Sequence, residues 1–215
     1  MAFEAVIFDF GGVITSSPFE AFNRLEAERG LPADLVRRIN RTNPDTNAWA
    51  RLERGELSRE AFDRAFAEEA RAAGHALDGA SVLACLAGDL RPAMVTALDR
   101  IVAAGLRIGC ITNNAPSGTG PGMAADAASA GRLAPVFARF EHVIESAKAG
   151  VRKPDPRIYL MMCEALGVAP AACVYLDDLG INCKPAAALG MHAIKVTGEA
   201  QALADLSAAL GIALD

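Results

Sequence analysis

The sequence lacks the features that mark several functional classes. Cations are not in excess: Lys and Arg number 21 against 26 Asp and Glu, a formal charge of −5. No broad basic surface is therefore expected for nucleic acid or an anionic membrane. The five cysteines, Cys85, Cys110, Cys163, Cys173 and Cys183, are odd in number and form no Cys-x-x-Cys pair. Cys110 and Cys173 lie inside apolar runs, the setting of buried reduced thiols rather than of a disulfide framework. His75, His142 and His192 match no metal-ligand spacing. No apolar run approaches the roughly 20 residues that span a bilayer, no basic segment precedes the first apolar stretch, and there is no internal repeat. These absences predict a cytoplasmic globular protein whose partner is neither nucleic acid nor a membrane.

What is present is a balance of 52% hydrophobic and 22% charged residues over 215 positions, enough for one sizeable core with a small lid. Five short apolar runs read as buried parallel strands: Ala5–Asp9, Arg107–Thr112, His142–Glu145, Cys173–Asp177 and His192–Val196. Amphipathic stretches at Pro92–Ala104, Pro156–Leu166 and Cys183–Leu189 alternate with them. The alternation predicts an α/β fold with a doubly wound, Rossmann-like parallel sheet, in which ligands sit outside the carboxyl ends of the strands. Residues 16–89 break the pattern and read as helical throughout, at Phe19–Arg29, Ala33–Asn40 and Ser58–Ala73, with Ser58 as an N-cap. The expected division is a core of residues 1–15 and 90–215 with a helical cap of residues 16–89 above the first strand. Residues 115–135, interrupted by four glycines, read as a loop with one short helix.

Four strand ends carry polar groups that a core does not want. Asp9 ends the first, in Ile7-Phe8-Asp9-Phe10-Gly11-Gly12-Val13. Thr112 and Asn113 end the second. Lys153 follows the third, in Gly150-Val151-Arg152-Lys153-Pro154-Asp155-Pro156, and Asp177-Asp178 end the fourth. In a parallel sheet these groups converge on one cavity. Carboxylates suit Mg²⁺, a hard ion that prefers oxygen. One carboxylate can attack phosphorus, while a lysine, a hydroxyl and the backbone N–H groups of a Gly11-Gly12 turn stabilise phosphoryl charge.

These four segments, in this order, resemble the signature motifs of the haloacid dehalogenase superfamily over nearly the whole chain. The stretches 145–156 and 176–182 are similar to a subgroup that includes the N-terminal phosphatase domain of soluble epoxide hydrolase and the related domain of an acyl-CoA dehydrogenase family member. The resemblance implies Asp9 as nucleophile and metal ligand and Thr112 and Asn113 as phosphate ligands. It implies Lys153 as a ligand of both phosphate and nucleophile, and Asp178, with Asp177 beside it, at Mg²⁺. It also implies a small phosphorylated metabolite or lipid phosphate as substrate. The sequence departs from the family at Gly11, where phosphatases of the superfamily usually carry a second aspartate as general acid–base. A glycine still offers its carbonyl to the metal but no proton, help typically worth about 10²–10⁴ in rate. Trp49 and Glu53 of the helical segment are the expected substrate-facing residues, Glu53 as a stand-in proton donor. Two rivals remain: a metal-independent 2-haloacid dehalogenase, which gains nothing from the extra negative charge of Asp177-Asp178, and a non-catalytic protein that binds phosphorylated ligands.

Overall fold

The computed structural model describes residues 2–115 and 127–214. Its centre is a sheet of β1 (Ala5–Phe8), β2 (Arg107–Thr112), β3 (His142–Glu145), β4 (Cys173–Asp177) and β5 (His192–Lys195). The strands are all parallel, in the order β3-β2-β1-β4-β5. β1 is thus central, and the order reverses beside it, where α/β sheets place their ligands. Alternation along the strands sorts two cores. Val6 and Phe8, with Ile108, Cys110, Val174 and Leu176, face the helices Pro92–Ala103, Ala127–Phe137 and Glu199–Leu210. Ala5 and Ile7, with Ile111, Cys173 and Tyr175, face the helices Pro156–Leu166 and Gly180–Ala188. Helix Pro156–Leu166 lies so close to β2 that a Cβ on Gly109 would come within 2.5 Å of Met162 Sδ.

The expected doubly wound α/β sheet is what the chain adopts. Differences are local. β1 stops at Phe8, so Asp9 stands just past the strand, and β5 stops at Lys195 rather than Val196. Helix Gly180–Ala188 begins three residues before the expected Cys183. Its N-cap is held from outside the helix: Leu179 N donates to Asp177 Oδ1 at 2.8 Å. Residues 127–137 form an 11-residue helix, the helix expected within the loop of residues 115–135 but running two residues past its end, despite Gly131 and the internal Pro135. Residues 116–126 of that loop lie outside the described residues.

Between β1 and helix Pro92–Ala103 come five helices, α1 (Pro18–Glu28), α2 (Leu35–Arg41), α3 (Ala48–Glu53), α4 (Arg59–Ala72) and α5 (Gly79–Ala84). They share a separate apolar cluster built on Phe22, Leu35, Ile39, Leu52, Phe62 and Phe66. Ser58 caps α4 as expected, its Oγ accepting from Ala61 N at 3.1 Å. α3 and α5 carry their own side-chain caps, Asn47 and Asp78. Where the chain leaves and re-enters the core, Thr15 and Leu90 form an antiparallel bridge. It is flanked by Ser16 N–Asp89 O at 2.8 Å and Arg91 N–Ile14 O at 2.9 Å. Among the described residues no helix is long and apolar enough to cross a membrane.

Candidate active site

Register places the polar strand ends side by side. Phe8 pairs with Cys110 on one side and Leu176 on the other, so Asp9, Thr112 and Asp177 sit at adjacent carboxyl ends. Asp9 Oδ1 accepts from Phe10 N at 2.7 Å and from Lys153 Nζ at 2.7 Å. Its second oxygen accepts no hydrogen bond among the described residues, and the residue lines a cavity of about 630 Å³. The carboxylate is therefore oriented by one oxygen and leaves the other to a ligand.

Lys153 is fully enclosed and uses all three of its protons, on Asp9 Oδ1, on Asp177 Oδ2 at 2.9 Å and on the Ile111 carbonyl at 2.9 Å. Burial alone would push its ammonium down, but Asp177 and Asp9 hold it above its ordinary value. Asp177 has no exposure and is saturated by donors. Besides Lys153 and Leu179 N, they are Tyr175 OH at 2.5 Å and Asn182 Nδ2 at 3.0 and 3.1 Å. It does not line the cavity; its role in the structure is to anchor Lys153. Asn182 and Tyr175 were not singled out from the sequence. Asn182 sits five residues past Asp177 on the first turn of its helix, and that spacing is the only signal it gave.

Asp178 lines the cavity and accepts from Ser17 Oγ at 3.2 Å. Burial, then Asp177, push its carboxyl up to about 6. Asp9 is also raised well above the ordinary carboxylate range, by burial first and then by Asp177 and Asp178, against the pull of Lys153. One oxygen from each of Asp9, Asp177 and Asp178 lies within 4.8 Å of the others. Three carboxylates thus share one lysine, an imbalance that a cation bound between them would correct. Below them, Gly12 has φ +80°, and a Cβ there would meet Asp178 Oδ2 at 2.2 Å. Only glycine fits.

Thr112 is buried and lines the cavity. The Asn113 side chain is engaged elsewhere: Oδ1 accepts from Lys153 N at 2.9 Å and Nδ2 donates to Lys153 O at 3.0 Å, clamping the lysine's loop to β2. Gly11 lines the cavity with nothing within 4 Å of where a Cβ would stand. Trp49 and Glu53, on α3, also line it. Trp49 packs edge-on against Phe22 and Phe62 and donates Nε1–H to Glu53 Oε1 at 2.8 Å. Glu53 is paired with Arg152, which also reaches the Pro44 carbonyl at 2.7 Å. Burial pushes the Glu53 carboxyl up against the pull of Arg152. Arg152, adjacent to Lys153, is a second residue that the sequence did not single out. It ties the loop of Lys153 to two points of the helical insert.

A family model for haloacid dehalogenase-like hydrolases matches residues 3–190. Mouse acyl-CoA dehydrogenase family member 10 is 32% identical over 218 residues, which cover 99% of this chain and 20% of that protein. Phosphatase MT3486 of Mycobacterium tuberculosis is 31% identical over 230 residues, covering 100% of this chain and 98% of the relative. The chain therefore spans about a fifth of the length of the first relative and nearly all of the second. A HAD family enzyme of Bacteroides thetaiotaomicron, solved with magnesium and inorganic phosphate, superposes with a TM-score of 0.60 at 17% identity, over 90% of this chain and 94% of that one. The L-2-haloacid dehalogenase of Xanthobacter autotrophicus, with chloropropionic acid covalently bound, gives 0.61 at 22% identity, over 99% and 85%. These two likenesses concern the fold. The family match over most of the chain, with a parallel sheet that gathers Asp9, Lys153, Asp177 and Asp178 at one edge, settles the classification: the chain belongs to the haloacid dehalogenase-like hydrolases.

Proposed function

We propose that this hydrolase is a Mg²⁺-dependent phosphatase that cleaves phosphate monoesters through an aspartyl phosphate on Asp9. The observation that carries the reading is the ratio of three clustered carboxylates to one lysine. A site for a carboxylate substrate and no metal would have no use for that surplus of negative charge. Asp9, Asp178 and the Gly11 carbonyl supply oxygen ligands of the kind Mg²⁺ prefers, with Asp177 held back by the hydrogen bonds it accepts from Lys153, Tyr175, Leu179 N and Asn182. Bound there, the metal neutralises phosphate charge so that a carboxylate can approach it.

The chain's own residues do the rest. Lys153 and Phe10 N fix Asp9 Oδ1 and leave Oδ2 to attack phosphorus. Thr112 donates to a phosphoryl oxygen, and Lys153 exchanges a carbonyl contact for another. Asn113 acts on the phosphate indirectly, by holding the Lys153 backbone. Glu53 is the lining carboxylate that stands outside the carboxylate trio, and it takes the proton-donor role that Gly11 cannot fill. The five helices of residues 16–89 serve as the cap, and Trp49 gives the substrate an aromatic wall. The substrate is a small phosphorylated metabolite or a lipid phosphate.

The test is phosphate release from aryl and alkyl monoesters with Mg²⁺, with EDTA, and after Asp9→Asn. Activity that needs Mg²⁺ and vanishes in the variant is expected. Full turnover in EDTA, or release of halide from a 2-haloacid, would overturn the reading in favour of a dehalogenase. Binding without turnover would leave a ligand-binding protein.

A further inference from the structure

One wall of the same cavity is built by a face of α2, where Arg37, Asn40 and Arg41 stand at i, i+3 and i+4. Arg38, between them in sequence, turns to solvent and does not line the cavity. The opposite face of α2 buries Leu35, Val36 and Ile39. Both ends of this short helix are pinned. The enclosed Glu26 of α1 accepts from Val36 N at 2.9 Å and Asp34 N at 2.7 Å. Asn47 Nδ2 donates to the Asn40 and Thr42 carbonyls at 2.9 and 3.0 Å. The Arg37 guanidinium lies 4.3 Å from the Phe19 ring centroid and pairs with Asp34 at 3.0 Å.

On this fixed wall, hydrogen-bonding capacity is left over. Arg37 Nε and Asn40 Oδ1 are buried side-chain atoms with no partner among the described residues, and native proteins rarely leave such atoms unmatched. Arg41 makes no ion pair among the described residues. The cavity is also lined by Phe19, Phe22, Trp49, Leu52 and Leu86, and contacts run from Arg37 to Phe19, Phe22 and Trp49 and on to Glu53. The lining therefore combines a carboxylate–lysine centre, an apolar group and the polar face of α2, where Arg41 has no ion pair and Arg37 keeps an unused Nε donor among the described residues.

We propose that the α2 face is a second anion subsite. It takes the distal end of a phosphomonoester that carries a carboxylate or second phosphate across an apolar or aromatic middle. Arg37 Nε and Arg41 donate to the distal oxyanion, and Asn40 Oδ1 accepts from a neighbouring hydroxyl or from a protonated oxygen of the same group. This rests on the phosphatase reading for the chemistry at Asp9, but the subsite itself is a matter of binding.

Two measurements separate the two claims. The first compares kcat/KM for hexyl phosphate, its ω-carboxylate analogue and hexanediol bisphosphate in the wild type, in Arg37→Met, Arg37→Lys and Arg41→Met, and in Arg38→Met as control. The wild type should favour the doubly anionic esters by about tenfold, the scale of one charge-assisted hydrogen bond, mostly through KM. Arg37→Met and Arg41→Met should narrow that ratio, Arg37→Lys should restore part of it, and Arg38→Met should leave it intact. The carboxylate and bisphosphate arms tell which anion fits better. The second measurement is calorimetric binding of the same three compounds to the Asp9→Asn protein with Mg²⁺, which needs no turnover. The same ranking should appear there. Turnover with no preference for a distal anion overturns the subsite and spares the phosphatase. Absence of turnover with preferential binding of the doubly charged compounds does the reverse. Loss of the preference in Arg37→Met alone, together with a lowered melting temperature, assigns Arg37 to packing over Phe19, and Arg41→Met then decides the proposal.

Discussion

Asp178→Asn is expected to stabilise the metal-free protein and to end its activity. The ionised Asp178 is held against burial and against the neighbouring Asp177, which together push its carboxyl up to about 6 from an ordinary value of 3.8. At about 1.4 kcal/mol per pKa unit, that costs the ionised form about 2–3 kcal/mol at neutral pH. An amide of the same shape escapes the charge penalty and can still accept from Ser17 Oγ, as Asp178 does at 3.2 Å. Urea denaturation in EDTA near neutral pH should therefore show the variant more stable by about 2 kcal/mol, while its Mg²⁺-dependent phosphatase activity is lost. The sign also fixes a pH dependence. The folded protein keeps the Asp178 proton up to about 6, whereas the unfolded chain releases it near 3.8. The folded state thus binds more protons across that window, and wild-type stability in EDTA should fall as pH rises through it and level off above. The variant should lose that part of the slope. Saturating Mg²⁺ should raise wild-type stability at neutral pH and leave the variant unmoved. Equal stability of the two proteins in EDTA, or equal stabilisation of both by Mg²⁺, would refute the idea that this carboxylate waits for a cation.

Three further outcomes follow from contacts already described. Lys153→Met strands Asp9 and Asp177 without their shared cation, and should cost about 3–5 kcal/mol in denaturant titration as well as all turnover; a loss below about 1 kcal/mol would mean that the buried pair does not depend on Lys153. Gly11→Asp enters open space at a backbone angle that any residue tolerates, so the variant should fold and accelerate alkyl over aryl phosphates by tenfold or more, toward the usual worth of general acid help of about 10²–10⁴. Unchanged rates would show that Glu53 already supplies the proton, and Glu53→Gln should then slow the alkyl ester selectively. Gly109→Ala forces a methyl to within 2.5 Å of Met162 Sδ and should lower stability by about 1–3 kcal/mol through overpacking. An unaltered thermal midpoint would show that helix Pro156–Leu166 shifts at no cost.

The core was legible because buried parallel strands are apolar on both faces, so a polar residue closing such a run advertises itself. Asp9, Thr112 and Asp177 were found in that way, and parallel pairing carries them to one edge without further information. The bounds of the helix at residues 127–137 were hidden by Gly131 and Pro135, residues that local propensity reads as breaks while packing of Val136 and Phe137 against the sheet overrides them. α3 is six residues long, under two turns, too short for an apolar period to repeat. Its Asn47 cap, accepting from Ala50 N at 2.8 Å, becomes visible only in three dimensions. Arg37, Arg41 and Arg152 were illegible for a different reason. An arginine on a helix or in a loop is solvated by default, and only tertiary placement tells one facing a cavity from its neighbour Arg38.

The bridge between Thr15 and Leu90 has a consequence for how this protein can change. Entry to and exit from the five-helix insert are neighbours joined by backbone hydrogen bonds, so the core already closes the loop that the insert occupies. A replacement segment of different length pays only the slow, logarithmic cost of a longer or shorter loop, not the cost of rebuilding the sheet. The molecule is arranged as a socket and an exchangeable fitting. The insert can be exchanged by grafting at positions 15 and 90, while Asp9 and Lys153 keep their places in the sheet framework.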